Sequence, residues 1–414
     1  MSLAAEALIL LFKNLNIFTY FFYILILLFF PLNTLAARYR RQYYQQPEVY
    51  STFNSEQFTQ QLPQQQPPSP TTQRQQFTAY NEPYARMLLA LAAGAYSPTP
   101  PNGCEKRWMP DAHLWNTPIN QSCDALDNTC STYTVVSEPR CEIIIIFRGT
   151  KTKEQLFLEG WQSFQPGTDF DGIGKVNKYF VRAFNTLWPS VKASLEDPLH
   201  AGYKVTFTGH SLGGALASLA SVRTVLDNLR RSDQVQLYTF GQPRVGNVDF
   251  AFQHNKLVPL SFRVVHRMDI VPHMPACDKT DNWPGVRPKD DSKPCDPTVK
   301  GKAYHHGTEI WYPYGMKPGD PFYECLQDPK NEDFTCSDSL SFEVAKYKTY
   351  INDHRHYFDH KVPRFGKLGC DPNLKELEEA EKIETNGVEK KSSGGFFANL
   401  VNKVQTLGKL IKIL

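Results

Sequence analysis

The hexapeptide GHSLGG, residues 209–214, sits between two runs of opposite character. The apolar KVTF precedes it and the alanine-rich ALASLASV follows it. The first reads as a strand and the second as a helix. A strand that turns directly into a helix at Gly-x-Ser-x-Gly leaves the chain few options. The turn forces unusual backbone angles on Ser211, and glycines at 209 and 213 remove Cβ atoms that would clash. It holds the hydroxyl clear of the sheet. The start of the helix aims N–H groups and a positive dipole end at the same spot. The hexapeptide alone says little. With 24 Gly in 414 residues, a chance match is expected in roughly one chain in ten. The flanking strand and helix carry the constraint.

The same alternation extends along the chain. EIIIIF (142–147) is a continuous apolar run, as expected of a strand buried on both faces. KVTFTG, VQLYTFG (235–241), FRVVH (262–266) and EIWY (309–312) read as further strands. A helix is expected from Ser211 to about Arg230. Another is expected over roughly 82–95 in YARMLLALAAGAYSP, stopped by Ser97-Pro98. Strands alternating with helices predict an α/β fold, with a mostly parallel central sheet covered on both faces.

The ends differ from this middle. Lys13 precedes the apolar stretch IFTYFFYILILLFFPL, and small residues follow at Ala36 and Ala37. Residues 1–37 therefore read as a secretory signal peptide, with an uncleaved anchor as the alternative. Arg38, Arg40 and Arg41 follow the stretch, which weakens a simple anchor under the positive-inside rule. Residues 38–78 are rich in Gln and Pro and read as a disordered linker before a domain at 79–370. A charged flexible tail is expected over 371–395. In 396–414, Phe397, Leu400, Val404, Leu407 and Ile411 share one helical arc flanked by Lys403 and Lys412. That pattern suits an amphipathic helix contacting a membrane surface, or one packed on its own domain. A net charge of +3 with no basic stripe gives no argument for a nucleic-acid partner. All nine cysteines lie beyond residue 100, which fits a disulfide-bearing domain in an oxidising compartment. Their spacing suggests the pairs Cys277–Cys295, Cys325–Cys336, Cys123–Cys130 and Cys104–Cys370, with Cys141 free and buried at a strand start. Asn120-Gln121-Ser122 is an N-glycosylation sequon, meaningful only in a secreted chain.

A serine hydroxyl needs a base, and the base needs an acid to orient it. In strand-to-helix nucleophile elbows the chain order is Ser, acid, His. Asp269 in RMDIVPHMP is the best acid, just past the strand FRVVH. That strand is expected to lie next to the one carrying Ser211, so that both groups reach the same sheet edge. Asp249 is a weaker rival. Six histidines follow Asp269, and three of them fall in DHRHYFDH (353–360). His-x-His-x₃-His is also a spacing at which Zn²⁺ ligands occur, although the serine and aspartate would then lack a base.

The blocks IIIIFRGT, GHSLGGALASL, YTFGQPRVGN, RVVHRMDIVPHMP, YHHGTEIWY and DHRHYF occur in this order, after YARMLLALAAGAYSP. Together they resemble the fungal-lipase-like (class 3) family of α/β-hydrolases, and most of all its secreted nematode branch. The resemblance covers about 79–370. It implies an α/β-hydrolase fold with a helical lid, and hydrolysis of lipid carboxylic esters at an interface without cofactor or metal. Triacylglycerol is the first expected substrate; phospholipid at the A1 position or diacylglycerol comes next. In site residues it implies Ser211 as nucleophile, Asp269 as orienter and His354 as base, with His356 as the minor option. Thr150 and the Leu212 amide would form the oxyanion hole, in keeping with two donors from separate segments. The lid would lie between Thr150 and Gly174, where Leu156, Phe157, Trp161 and Phe164 stand near helical spacing. One block departs from the family. Its V-H-x-G-F is here Val176-Asn177-Lys178-Tyr179-Phe180, which leaves substrate preference open. A catalytically silent lipid-binding or interaction module on the same fold is the competing class.

Overall fold

The run EIIIIF forms a strand with all six residues buried. Its neighbours decide that outcome. The structure, a computed structural model, describes residues 78–123, 129–150, 167–282 and 292–373. The N-terminal segment, the linker up to 77, the expected lid residues, the charged tail and the 396–414 helix lie outside the described residues.

The described chain begins with α1 (Glu82–Gly94), α2 (Cys104–Trp108), β1 (His113–Leu114), β2 (Ile119–Ser122), β3 (Thr129–Ser137) and β4 (Glu142–Phe147). Next come β5 (Gly167–Asp169), β6 (Lys175–Asn177), α3 (Lys178–Leu195), β7 (Lys204–His210), α4 (Leu212–Leu226) and β8 (Val235–Phe240). Then follow β9 (Gly246–Asn247), α5 (Val248–Leu257), β10 (Leu260–His266), β11 (Ala303–Tyr304), β12 (Thr308–Tyr312) and β13 (Tyr323–Cys325). The described chain closes with α6 (Tyr347–Arg355), β14 (His356–Tyr357), β15 (His360–Lys361) and α7 (Val362–Lys367).

The main sheet runs β1-β3-β4-β7-β8-β10-β12-β13, with β2 also paired to β3. Its centre, β4-β7-β8-β10-β12, is parallel. Antiparallel β3 and β13 close the two sides. Side-chain alternation splits β4 between two cores. Ile144 and Ile146 pack with Leu88 and Leu91 of α1. Ile143, Ile145 and Phe147 pack with Phe184 of α3 and Leu216 of α4. A strand covered on both faces must be apolar at every position, and each buried Ile stabilises the fold by roughly 2–3 kcal/mol. This is the α/β-hydrolase arrangement, a mostly parallel sheet between helical layers.

α1 begins where the Asn81 side chain accepts from Tyr84 N at 2.9 Å, and the helix stops at Gly94. A Cβ on Gly366 of α7 would lie 1.7 Å from Ala93 O, so glycine is required where α7 meets the end of α1. The same region carries Cys104–Cys370, a bond across 266 residues. Closing a loop of that length stabilises by roughly 5 kcal/mol in the chain-entropy account. The other three pairs are Cys123–Cys130, Cys277–Cys295 and Cys325–Cys336.

Two sequence expectations need correction. Cys141 is free but exposed, not buried. It occupies a positive-φ turn position (φ 49°) that precedes the buried strand instead of joining it. The strand that leads to Asp269 does not adjoin the nucleophile strand either, because β8 lies between β7 and β10. Connections in a doubly covered sheet fix order by handedness and helix packing, which short motifs do not encode.

Candidate active site

β7 ends at His210, and α4 starts at Leu212. Ser211 is the hinge between them, with φ 61° and ψ −131°. Such angles cost a non-glycine residue of order 1–3 kcal/mol and persist only where the surroundings enforce them. Here Ser211 N donates to Phe240 O at 2.9 Å and Gly214 N donates to Ser211 O at 2.9 Å. The flanking glycines have no substitute. A Cβ on Gly209 would lie 2.3 Å from the Gly213 carbonyl carbon, and one on Gly213 would lie 2.2 Å from Phe147 O.

Asp269 follows β10 and is fully buried. It accepts from Val271 N at 2.9 Å and from the Tyr357 hydroxyl at 2.6 Å. His354 sits in the last turn of α6 and turns Nδ1 onto both carboxylate oxygens, at 3.0 and 2.9 Å. That contact makes Nδ1 the protonated nitrogen and leaves Nε2 as an acceptor. Gly241 makes room for the pair. It has φ 59°, and a Cβ there would lie 2.7 Å from Asp269 Oδ2 and 2.8 Å from His354 Nδ1. Of the other two histidines in the segment, His356 Nδ1 bonds to Asn352 O at 2.7 Å, and His360 stacks on Phe365. Asp249, the rival acid, lies in the first turn of α5.

His210 braces this pair from the elbow. Its ring stacks on His354 with centroids 4.7 Å apart. Its Nε2 bonds to His354 O, and its Nδ1 to the Tyr96 hydroxyl, both at 2.8 Å. A carbonyl can only accept, so Nε2–H donates and Nδ1 accepts from Tyr96. Burial, reinforced by the neighbouring His354 imidazole, pushes the His210 pKa down to about 3, so the brace is neutral.

Among the described residues, Ser211 Oγ and His354 Nε2 are buried in this cluster without a hydrogen-bond partner. Native folds rarely leave buried polar atoms unpaired, and catalytic contacts often tighten only when substrate binds. The segment after β4 closes the other side. A Cβ on Gly149 would lie 2.2 Å from the Tyr96 hydroxyl, 2.4 Å from His210 O and 3.1 Å from Ser211 Cβ. Gly149 is therefore wedged against the elbow, with Thr150 next in the chain. Thr150 and Leu212 are both buried. The expected lid residues Leu156, Phe157, Trp161 and Phe164 lie outside the described residues. The altered block has a structural explanation. Asn177 caps α3, accepting from Tyr179 N at 2.8 Å and Phe180 N at 3.2 Å, as a good N-cap residue does.

Sequence reasoning gave no role to Tyr96, His210, Tyr357 or Gly241. All four lie inside quoted blocks, Tyr96 in YARMLLALAAGAYSP, His210 in GHSLGG, Gly241 in YTFGQPRVGN and Tyr357 in DHRHYF, and the blocks are the available signal. Tyr96 lies 114 positions before its partner His210, and no local pattern links them.

The class 3 lipase family matches residues 144–279. A Caenorhabditis elegans lipase is 46% identical over 297 residues, which span 71% of this chain and 84% of that protein. The chain belongs to the class 3 lipase family. It is a serine carboxylic-ester hydrolase. A secreted mono- and diacylglycerol lipase of Fusarium solani is 30% identical over 145 residues, covering 34% of this lipase and 42% of that protein. The crystal structure of a Rhizopus microsporus lipase superposes with a TM-score of 0.52 at 25% identity, covering 68% of this lipase and 88% of that chain.

Proposed function

We propose that this lipase hydrolyses acylglycerol esters at a lipid–water interface through Ser211, His354 and Asp269. The observation that carries the reading is the Asp269–His354 contact, which leaves His354 Nε2 unpaired in a site where Ser211 Oγ is also unpaired. In the proposed cycle Ser211 Oγ attacks the ester carbonyl while His354 Nε2 takes its proton. Asp269 holds the tautomer and steadies the imidazolium. The N–H groups of Thr150 and Leu212 meet the tetrahedral oxyanion. On collapse, His354 protonates the departing alcohol. A water then repeats the steps on the acyl-enzyme and releases the fatty acid.

Triacylglycerol is the first substrate to test and diacylglycerol the next, the latter supported by the Fusarium relative, a mono- and diacylglycerol lipase. Phospholipid at the A1 position is the third. In this reading Leu156, Phe157, Trp161 and Phe164 form an apolar lid that opens on lipid. Four disulfides support an oxidising, secretory route. Among the described residues no helix is long and apolar enough to cross a membrane.

A fluorophosphonate probe tests the chemistry directly. Covalent labelling of the peptide carrying Ser211 is expected. An unlabelled, folded protein would favour the silent-module alternative. Hydrolysis of a lipid panel should show a rate increase above substrate solubility. A flat response across that limit would point to a soluble-ester hydrolase.

A further inference from the structure

We infer that Asn120 is an N-glycosylation site whose glycan stands on one wall of the catalytic mouth. Asn120-Gln121-Ser122 is the one Asn-x-Ser/Thr sequon in the whole sequence. The modification does not depend on the lipase reading; only its meaning for lipid approach does.

Accessibility comes first. Asn120, Gln121 and Ser122 are all exposed. They lie on β2, which pairs with β3 at the margin of the main sheet.

The amide is also oriented. Arg148 Nη1 donates to Asn120 Oδ1 at 3.2 Å, and Arg148 Nη2 donates to Thr129 Oγ1 at 2.8 Å. The oxygen is anchored on the protein, so Nδ2 lies on the far side of the planar amide. Glycosylation uses only that nitrogen. Nδ2 displaces polyprenyl pyrophosphate from C1 of a lipid-linked oligosaccharide and loses one proton. A new N–C bond replaces the sugar–phosphate bond, and the carbonyl oxygen stays free to accept from Arg148. The bond to Arg148 and the glycan are therefore compatible.

The register sets the position. Ile119 pairs with Thr132, which pairs with Phe147, the last residue of β4. Asn120 pairs with Ser131, whose carbonyl accepts from Arg148 N at 3.0 Å. Asn120 is thus level with Arg148, two residues before Thr150, and the Cys123–Cys130 bond lies further out on the same hairpin. A glycan here projects from the carboxyl edge of the sheet, beside the proposed oxyanion segment. Its hydration keeps that wall in water, so lipid is presented from the other sides of the mouth.

The test uses the full chain expressed through a eukaryotic secretory pathway. Secreted protein is digested without reduction, to show Cys123–Cys130 intact, and with peptide N-glycosidase in ¹⁸O-water. Asn120 should be converted to ¹⁸O-labelled Asp, and the intact protein should lose mass on glycosidase treatment. Ser122→Ala should abolish both signals while keeping the Asn120–Arg148 bond, and Ser122→Thr should retain them. With a soluble short-chain ester, kcat/KM of Ser122→Ala should stay within about twofold of wild type. Unmodified Asn120 in disulfide-bonded protein overturns the proposal. So does a glycosidase-sensitive shift that survives Ser122→Ala, and so does failure of the chain to acquire disulfides in the secretory lumen. Failure of the lipase reading would show instead as an absence of probe labelling at Ser211, whatever the state of Asn120.

Discussion

Arg244 and His354 are both almost wholly buried, yet their surroundings treat them in opposite ways. Arg244 grips Glu332 with two nitrogens, at 2.7 and 2.8 Å, and donates its third to the carbonyls of His273 and Pro275. Glu332 also accepts from His305 N, while nearby Asp338 takes Lys279 and Cys295 N. All three guanidinium nitrogens of Arg244 are used. Around His354, three donors fill the Asp269 carboxylate, but Ser211 Oγ and His354 Nε2 have no partner. The same fold that pairs a buried guanidinium so thoroughly leaves these two atoms unpaired. Unpaired buried atoms occur beside the Arg244 network too, at His273 Nε2 and His305 Nδ1, so what sets the pair at the elbow apart is its chemistry: a hydroxyl and an imidazole nitrogen backed by a carboxylate, the groups a Ser-His relay would use.

Breaking each cluster should give opposite phenotypes. Ser211→Ala is expected to lower kcat on the order of 10⁶-fold, by the precedent of other triads. Its denaturant midpoint should hardly move, because Oγ makes no hydrogen bond. Activity within tenfold of wild type in that variant would end the proposed mechanism. Arg244→Met should do the reverse. Stranding Glu332 without its cation costs about 3–5 kcal/mol of stability, measured by urea titration, with kcat/KM per folded molecule unchanged. Adding Glu332→Leu should recover much of that loss. If the single variant is as stable as wild type, the contrast between the clusters fails.

Tyr357→Phe sharpens the comparison from the catalytic side. It removes the donor 2.6 Å from Asp269 Oδ2. A hydrogen bond to a charged group is worth about 1.5–3 kcal/mol, so kcat should fall roughly 10- to 100-fold with KM unchanged. A change in KM alone would mean that the hydroxyl serves substrate binding instead.

The smallest effect concerns acid. Burial pushes His254 and His273 down to about 3, like His210, and holds His305 and His306 well below the usual range. These rings are neutral when folded and take up protons near pH 6.5 when unfolded. The unfolded chain therefore binds more protons between about pH 6.5 and 3. Stability is fully present above that window and declines as pH falls through it, by up to about 1.4 kcal/mol per pH unit for each ring. Among the described residues neither nitrogen of His254 has a hydrogen-bond partner. His254→Leu should accordingly reduce proton uptake on unfolding at pH 5 by about one. Equal slopes of unfolding free energy against pH in the two proteins would refute this.

Much of this arrangement could be read from the chain because it is local. EIIIIF has to be a doubly covered strand, and GHSLGG has to be an elbow once its neighbours are a strand and a helix. The disulfide pairs expected from spacing are those the structure contains. The illegible parts depend on what distant segments bring together. The place of β8 between β7 and β10 is set by helix packing. Tyr96, His210 and Gly149 meet through contacts that no periodicity records. Cys141 is exposed where burial is expected because a strand start and the turn before it look alike in sequence.

The Cys104–Cys370 bond makes one more thing follow. Ser211, Asp269 and His354 all lie inside the covalent ring it closes. A protease that cuts once anywhere within that ring opens it but releases no fragment. Nicked chains would run as a single species until reduced, and every residue of the proposed site would stay tethered to the others. A single clip in the ring is then a different event from loss of the enzyme.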